Sequence, residues 1–147
     1  MELTVQDVSG YDGVPEDATI SGWITAALES KDVSITVRIV DDTEMAELNQ
    51  QYRHKSGATN VLSFPFENPP GVETDILGDI VICAPVVDLE AKEQGKNLLS
   101  HWAHMVVHGI LHLRGFDHET DEQAAEMERL ETDILTSLGF PAPYAVA

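Results

Sequence analysis

Asn97-Leu-Leu-Ser-His101-Trp-Ala-His104-Met-Val-Val-His108-Gly-Ile-Leu-His112-Leu-Arg-Gly115-Phe-Asp117-His118 is the stretch from which the rest of this chain is read. Leu98, Leu99, Trp102, Met105, Val106, Ile110 and Leu111 spread apolar side chains almost all round a helix predicted over residues 97–113. A helix apolar on every side belongs in the interior, and burial holds whatever polar groups it carries rigid. His108 and His112 are four apart, one turn above the other on the same face. A rise of roughly 1.5 Å per residue puts their Cα atoms about 6 Å apart, so both rings can reach one ion. Gly115 supplies a chain reversal, because glycine adopts positive φ without steric cost, and the turn can swing His118 back to the same point. Three imidazole nitrogens leave a fourth tetrahedral position open, which is the arrangement of catalytic rather than structural zinc. The spacing therefore predicts a metal site at His108, His112 and His118, with one Zn2+ per chain; neighbouring ions of the affinity series suit the same nitrogens.

His101 and His104 fall on much the same face, and at about 100° per residue the four helical histidines share a stripe about 80° wide. His104 and His112 are separated by roughly 12 Å along the axis, whereas ligating nitrogens all lie about 2 Å from one zinc. A straight helix cannot bring both in. The third ligand must come from beyond the turn, and His104 is left as a pocket wall or as a partner of a ligand. Asp117 either orients a ligand imidazole or accepts a proton, or else it serves turn chemistry. Glu119, Asp121 and Glu122 read as acids favouring the start of the last helix.

Histidine and glycine positions also match the H-E-x-x-H-x-x-G-x-x-H string of the metzincin proteases. The exception is the residue after the first His, where a metalloprotease keeps its general-base Glu; here it is Gly109. The cage is metzincin-like and the peptide-hydrolysing base is missing.

Outward from this helix, Leu3 and Val5 alternate with polar neighbours over residues 2–8, the period of a half-buried strand. After a loop at 9–15, Ile20, Trp23, Ile24, Ala27 and Leu28 predict a helix over about 16–30. Val33, Ile35, Val37 and Ile39 place a second strand at 33–40. Asp41, Asp42 and Glu44 favour a helix start, and Met45, Leu48 and Tyr52 carry that helix to about Arg53. Residues 60–66 form a third strand, which Pro65, unable to donate to a ladder, either places at an edge or ends. A loop at 67–75 leads to a fourth strand at 76–83, a helix from Pro85 to about Glu93, and the central helix. Ala124, Ala125, Met127, Leu130, Ile134 and Leu138 mark a last helix ending at Gly139, followed by a tail from Pro141. The order β-α-β-α-β-β-α-α-α predicts a single α+β domain spanning 1–147, a four-stranded mixed sheet packed with about five helices around the histidine-bearing one.

Composition narrows the function classes. A chain of 147 residues with 43% hydrophobic content can bury a core. No apolar run approaches the ~20 residues that span a bilayer, and the first residues show no signal-peptide pattern, so the expectation is a cytoplasmic protein away from the membrane. The lone Cys83 sits in the apolar run Ile80-Val-Ile-Cys83 and reads as a small core residue. With 26 acids against 8 bases, net charge −18, the chain repels nucleic acid at long range, which argues against a general nucleic-acid binder but not against a local basic cleft. Arg53-His54-Lys55 is the dense basic cluster. Arg53 either grips a phosphate bidentately and stabilises charge built up at phosphorus, or complements the dipole at a helix end.

The string His108-Gly-Ile-Leu-His112-Leu-Arg-Gly115-Phe-Asp117-His118 resembles the signature of the YbeY family, bacterial single-domain endoribonucleases of rRNA maturation. His101-Trp-Ala-His104, the run Leu48 to Pro65 and Leu77-Gly-Asp-Ile80 resemble that family too, so the likeness covers roughly residues 33–138. Gly57-Ala58 departs from its usual Asp-Xaa. The resemblance implies a zinc site at His108, His112 and His118, a functional Arg at Arg53, and a single-strand-specific endoribonuclease acting near the 3′ end of small-subunit rRNA and in ribosome quality control. Its partners would be ribosomal RNA, the small subunit and that subunit's proteins. Two other readings stay open: a metallohydrolase of another substrate class, against which Gly109 argues, and a non-enzymatic ribosome-assembly factor with a structural metal, whose acidic surface would dock on a basic ribosomal protein.

Overall fold

Alternation along β4 (Ile76–Cys83) shows how the molecule is layered. Ile80 and Ile82 point into a large core, while Val81 and Cys83 point into a smaller one on the other face, as side chains on a strand must. The computed structural model describes residues 1–30 and 32–144. Four strands, β1 (Glu2–Asp7), β2 (Ser34–Val40), β3 (Val61–Pro65) and β4, form one sheet in the order β1-β2-β4-β3. β1, β2 and β4 run parallel and β3 is antiparallel to β4. β3 is thus an edge strand ending at Pro65, as proline's missing N–H requires.

One face carries α1 (Asp17–Ala27), whose Ile20, Trp23, Ile24 and Ala27 are buried, together with α4 (Leu98–Leu113). The opposite face carries α2 (Asp42–Arg53), with Met45 against Val40, Leu62 and Val81. α3 (Ala84–Glu93) and α5 (Asp121–Ser137) flank α4, which touches α1, α3, α5, β3 and β4. Among the described residues, the expected α+β domain, with its mixed sheet, five helices and buried histidine helix, is the observed one. The starts of α2, α4 and α5 are capped by side chains: Asp41 accepts from the Glu44 amide at 2.9 Å, Asn97 from the Leu99 and Ser100 amides, and Thr120 and Gln123 form a reciprocal capping box.

Three expectations need correction. α1 stops at Ala27 rather than near 30, because Leu28 is already extended (φ −88, ψ 144). Leu99 is exposed, although its neighbour Leu98 in the same first turn of α4 packs against the core. The segment after Pro141 is no loose tail as far as Tyr144, whose side chain is tied to α4 and α5; the part of the tail, and of the expected domain, at 145–147 lies outside the described residues. Cys83 is buried as expected, and burial pushes its thiol up to about 12. Among the described residues no helix is long and apolar enough to cross a membrane.

Candidate metal centre and cleft

The C-terminal end of α4 builds the site. His108 and His112 project from successive turns, their ring centroids 4.6 Å apart. The helix ends at Leu113, and the Gly115 and Phe116 amides donate back to the His112 and Leu111 carbonyls at 3.0 Å each. That reversal needs Gly115 at φ +98, a conformation a side chain would resist. It returns His118, whose ring centroid lies 5.6 Å from that of His108 and 5.1 Å from that of His112. One ligand atom from each of the three rings lies within 4.8 Å of the other two.

This donor set suits a divalent ion on two counts. The Nε2 atoms of His108 and His112 are 3.1 Å apart, close to the about 3.3 Å edge that two nitrogens at 2.0–2.1 Å span on a tetrahedral zinc. Burial lowers the His112 pKa, with the neighbouring His108 and His118 adding to the effect against Asp117. The neutral ring keeps the lone pair that a metal needs. A second group, His104, His108 and Glu131, also brings ligand atoms within 4.8 Å. There the facing atoms are already joined: His104 Nε2 donates to Glu131 Oε2 at 2.8 Å, and His108 Nδ1 donates to Glu131 Oε1 at 2.5 Å. Those facing atoms are hydrogen-bonded to one another without an ion.

The three histidines open onto a cleft of about 500 Å³. Its far wall is the end of α2 and the loop into β3, with Arg53, Lys55, Thr59 and Asn60. Arg53 is the last residue of α2, and His54 caps that helix in the left-handed region at φ 56. Arg53 and Lys55 have no ion-pair partner among the described residues. Thus Arg53, far from the histidines in sequence, shares their cleft. The same position at a helix C-terminus also satisfies the dipole reading.

His101 and His104 do not join the cleft. Both are sealed, at 3% and 7% exposure, and both line a second cavity under Phe140–Pro143. His101 Nε2 donates to Glu90 at 2.9 Å, and Glu90 also accepts from the Asn60 amide of the cleft wall. Asp117 turns out to do turn chemistry: its Oδ1 accepts from the His118 amide at 2.8 Å. Asp121 and Glu122 occupy the first turn of α5 as expected, while Glu119 precedes that helix and lines the cleft.

Gly109 acquires a packing reason. A Cβ there would stand 3.0 Å from Ile80 Cγ2 of β4, so α4 lies on the sheet at the position where a metzincin carries its Glu. Two site residues were not anticipated. Glu131 is fully buried, receives both histidine bonds and accepts from the Tyr144 hydroxyl. Burial alone would raise its pKa, but the bonds from His104, His108 and Tyr144 outweigh it and hold the carboxyl at about 2. The sequence did hold a signal for Glu131: it lies four residues after Met127 and four before Leu135 on the apolar stripe of α5, where an acid is out of place. Tyr144 had none.

A family model described as "Endoribonuclease YbeY" matches residues 11–139. Among solved structures, the solution structure of TM1509 from Thermotoga maritima is similar over 97% of this chain and 100% of that one, with 23% identity and a TM-score of 0.55; the likeness is one of fold. With most of its length matched, and with the histidine turn at the head of its cleft, the chain belongs to the YbeY family.

Proposed function

We propose that the protein is a zinc-dependent endoribonuclease that cuts single-stranded RNA, acting late in maturation of the 3′ end of small-subunit rRNA and in ribosome quality control in the cytoplasm, as one domain over 1–147. The observation that carries this reading is the convergence of His108, His112 and His118 on a cleft shared with Arg53, in a chain of a family described as endoribonuclease. His108, His112 and His118 would hold one Zn2+. A divalent ion in such a cage lowers the pKa of coordinated water toward ~7 and polarises phosphoryl oxygens.

The chain's own residues supply the rest. Arg53 grips the scissile phosphate and stabilises the charge that develops on it. Lys55 adds a second cation, so the wall formed by the end of α2 and the loop after it attracts a phosphodiester at close range, against Asp117 and Glu119 beside the histidines, although the net charge of −18 repels RNA at a distance. Edge strand β3 and the loop before it form the wall along which an extended strand would lie. Base-paired RNA presents a rigid duplex to this narrow wall, whereas a single strand can bend into it. Gly109 cannot act as a base, which disfavours peptide hydrolysis.

The acidic surface favours one alternative, an assembly factor docked on a basic ribosomal protein with a structural metal. His112→Ala separates the readings when zinc content and cleavage of single-stranded RNA are measured together. The variant is expected to lose both. Full cleavage by metal-free protein refutes the proposal, and wild-type binding to small-subunit precursors without cleavage under any divalent ion favours the assembly factor.

A further inference from the structure

We infer that Glu131 is the positioning residue of the metal centre, holding His108 in the tautomer and orientation that ligate, and that Tyr144 latches Glu131 in place. The inference rests on the zinc reading above.

Glu131 is fully buried on α5 and faces α4. An ionised carboxylate only accepts hydrogen bonds, so each of its neighbours must donate. His108 Nδ1, 2.5 Å from Oε1, therefore carries a proton, and a neutral His108 must leave Nε2 bare. That Nε2 is the atom facing His112 Nε2 across 3.1 Å. One buried acid thus decides which nitrogen of His108 is open to an ion, and it makes that nitrogen a better donor. The other oxygen, Oε2, accepts from His104 Nε2 at 2.8 Å and from the Tyr144 hydroxyl. With both oxygens held, the carboxylate cannot rotate away from His108.

Stability alone does not call for this arrangement. Leucine at 131, with apolar residues also in place of its polar partners, would continue the stripe of Met127 and Leu135, and apolar replacement of a whole buried polar cluster is often neutral or stabilising. Glu90 offers the contrast within the molecule. It too accepts from a histidine of α4, but the other nitrogen of that ring, His101 Nδ1, like that of His104, is buried with no partner, whereas the other nitrogen of His108 faces His112. Glu90 orients a ring that lies outside the cleft of His108, His112 and His118.

The test compares wild type, Glu131→Gln, Tyr144→Phe and Glu90→Gln. Zn2+ affinity is measured by competition with a chromophoric chelator, metal-free unfolding temperature alongside, and imidazole protonation by long-range 1H–15N NMR of the metal-free proteins. Glu131→Gln is expected to weaken Zn2+ binding about 10–100-fold and to move His108 from the Nδ1–H form toward a mixture. Tyr144→Phe, at a partly exposed position, is expected to weaken it about 2–10-fold, the worth of one hydrogen bond, and Glu90→Gln to leave it unchanged. A Glu131→Gln protein with lowered unfolding temperature but wild-type affinity and an unchanged His108 tautomer overturns the inference and leaves the zinc reading standing. Should Glu131→Gln not fold, wild-type affinity in Tyr144→Phe overturns it. A wild type that binds no Zn2+ refutes the metal reading itself and this inference with it, a failure visible before any variant is made.

Discussion

The two ends of α4 carry the same residue on the same face and put it to different uses. At the N-terminal end, His101 and His104 are covered by α3, α5 and the segment after α5, and each spends its Nε2 on a carboxylate. At the C-terminal end, His108 and His112 emerge into the cleft, with their Nε2 atoms turned toward each other. Nothing intrinsic to histidine separates the pairs. What differs is the neighbour each turn meets. α3 presents Glu90 and α5 presents Glu131, whereas past His108 the chain reverses at Gly115 and leaves the face open. The lesson is that a periodic stripe of ligand-type residues overstates a metal site, and burial decides how much of the stripe is available.

The contrast predicts its own breaking points. The largest effect is expected from His108→Ala set against His101→Gln. The former should weaken Zn2+ more than 100-fold, beyond the loss of an outer partner, and take RNA cleavage to background; the latter should hold affinity within about twofold. Equal losses in a chelator competition would erase the distinction between the two ends. Next, Arg53→Ala should lower RNA cleavage about 10²–10³-fold, as loss of one preorganised charge donor does, with zinc content unchanged. Arg53→Lys should recover little, because an ammonium cannot reproduce the bidentate fork. Single-turnover cleavage beside metal analysis checks both.

Gly109→Glu, which writes the full metzincin string into α4, is expected to destabilise the protein by about 3 kcal/mol or more, since it drives a charge between helix and sheet against Ile80. Urea unfolding reads that loss, and a casein assay should show no protease gained. The smallest effect concerns pH. Burial lowers the His101 pKa below 6.5, against the hydrogen bond to Glu90 that raises it. As pH falls below 6.5 the unfolded chain takes up the proton first, so His101's contribution is present above that value and is lost toward acid. In chelator, the unfolding free energy of His101→Gln should fall less steeply below pH 6.5 than wild type, by no more than about 1.4 kcal/mol per pH unit. Parallel curves would show that the sealed end carries no such penalty.

Most element boundaries were legible because each depends on near neighbours in the chain. The stripes of α1 and α2, the alternation of β2, the helix start at Asp41 and the break in pairing at Pro65 all act within a few residues. So does the histidine turn, in which His108, His112, Gly115 and His118 lie inside eleven positions. The site's remaining partners were harder to read. Arg53 stood out as a basic cluster, but that the end of α2 lines the same cleft as the histidines is a matter of how distant elements pack. Gly109 looked like a missing base, and its crowding against Ile80 emerges only when helix meets sheet.

Local periodicity and turn chemistry were enough to name the helix, the three converging imidazoles and the strand broken at Pro65, since those rest on interactions between residues a few steps apart. Tertiary packing alone chose which histidines are open, joined Glu131 and Tyr144 to His104 and His108, and set Arg53 across the cleft. Those pairings join residues 13 to 65 positions apart, and no local rule carries information over that separation. Burial and hydrogen-bond satisfaction, which decide them, are properties of the assembled core.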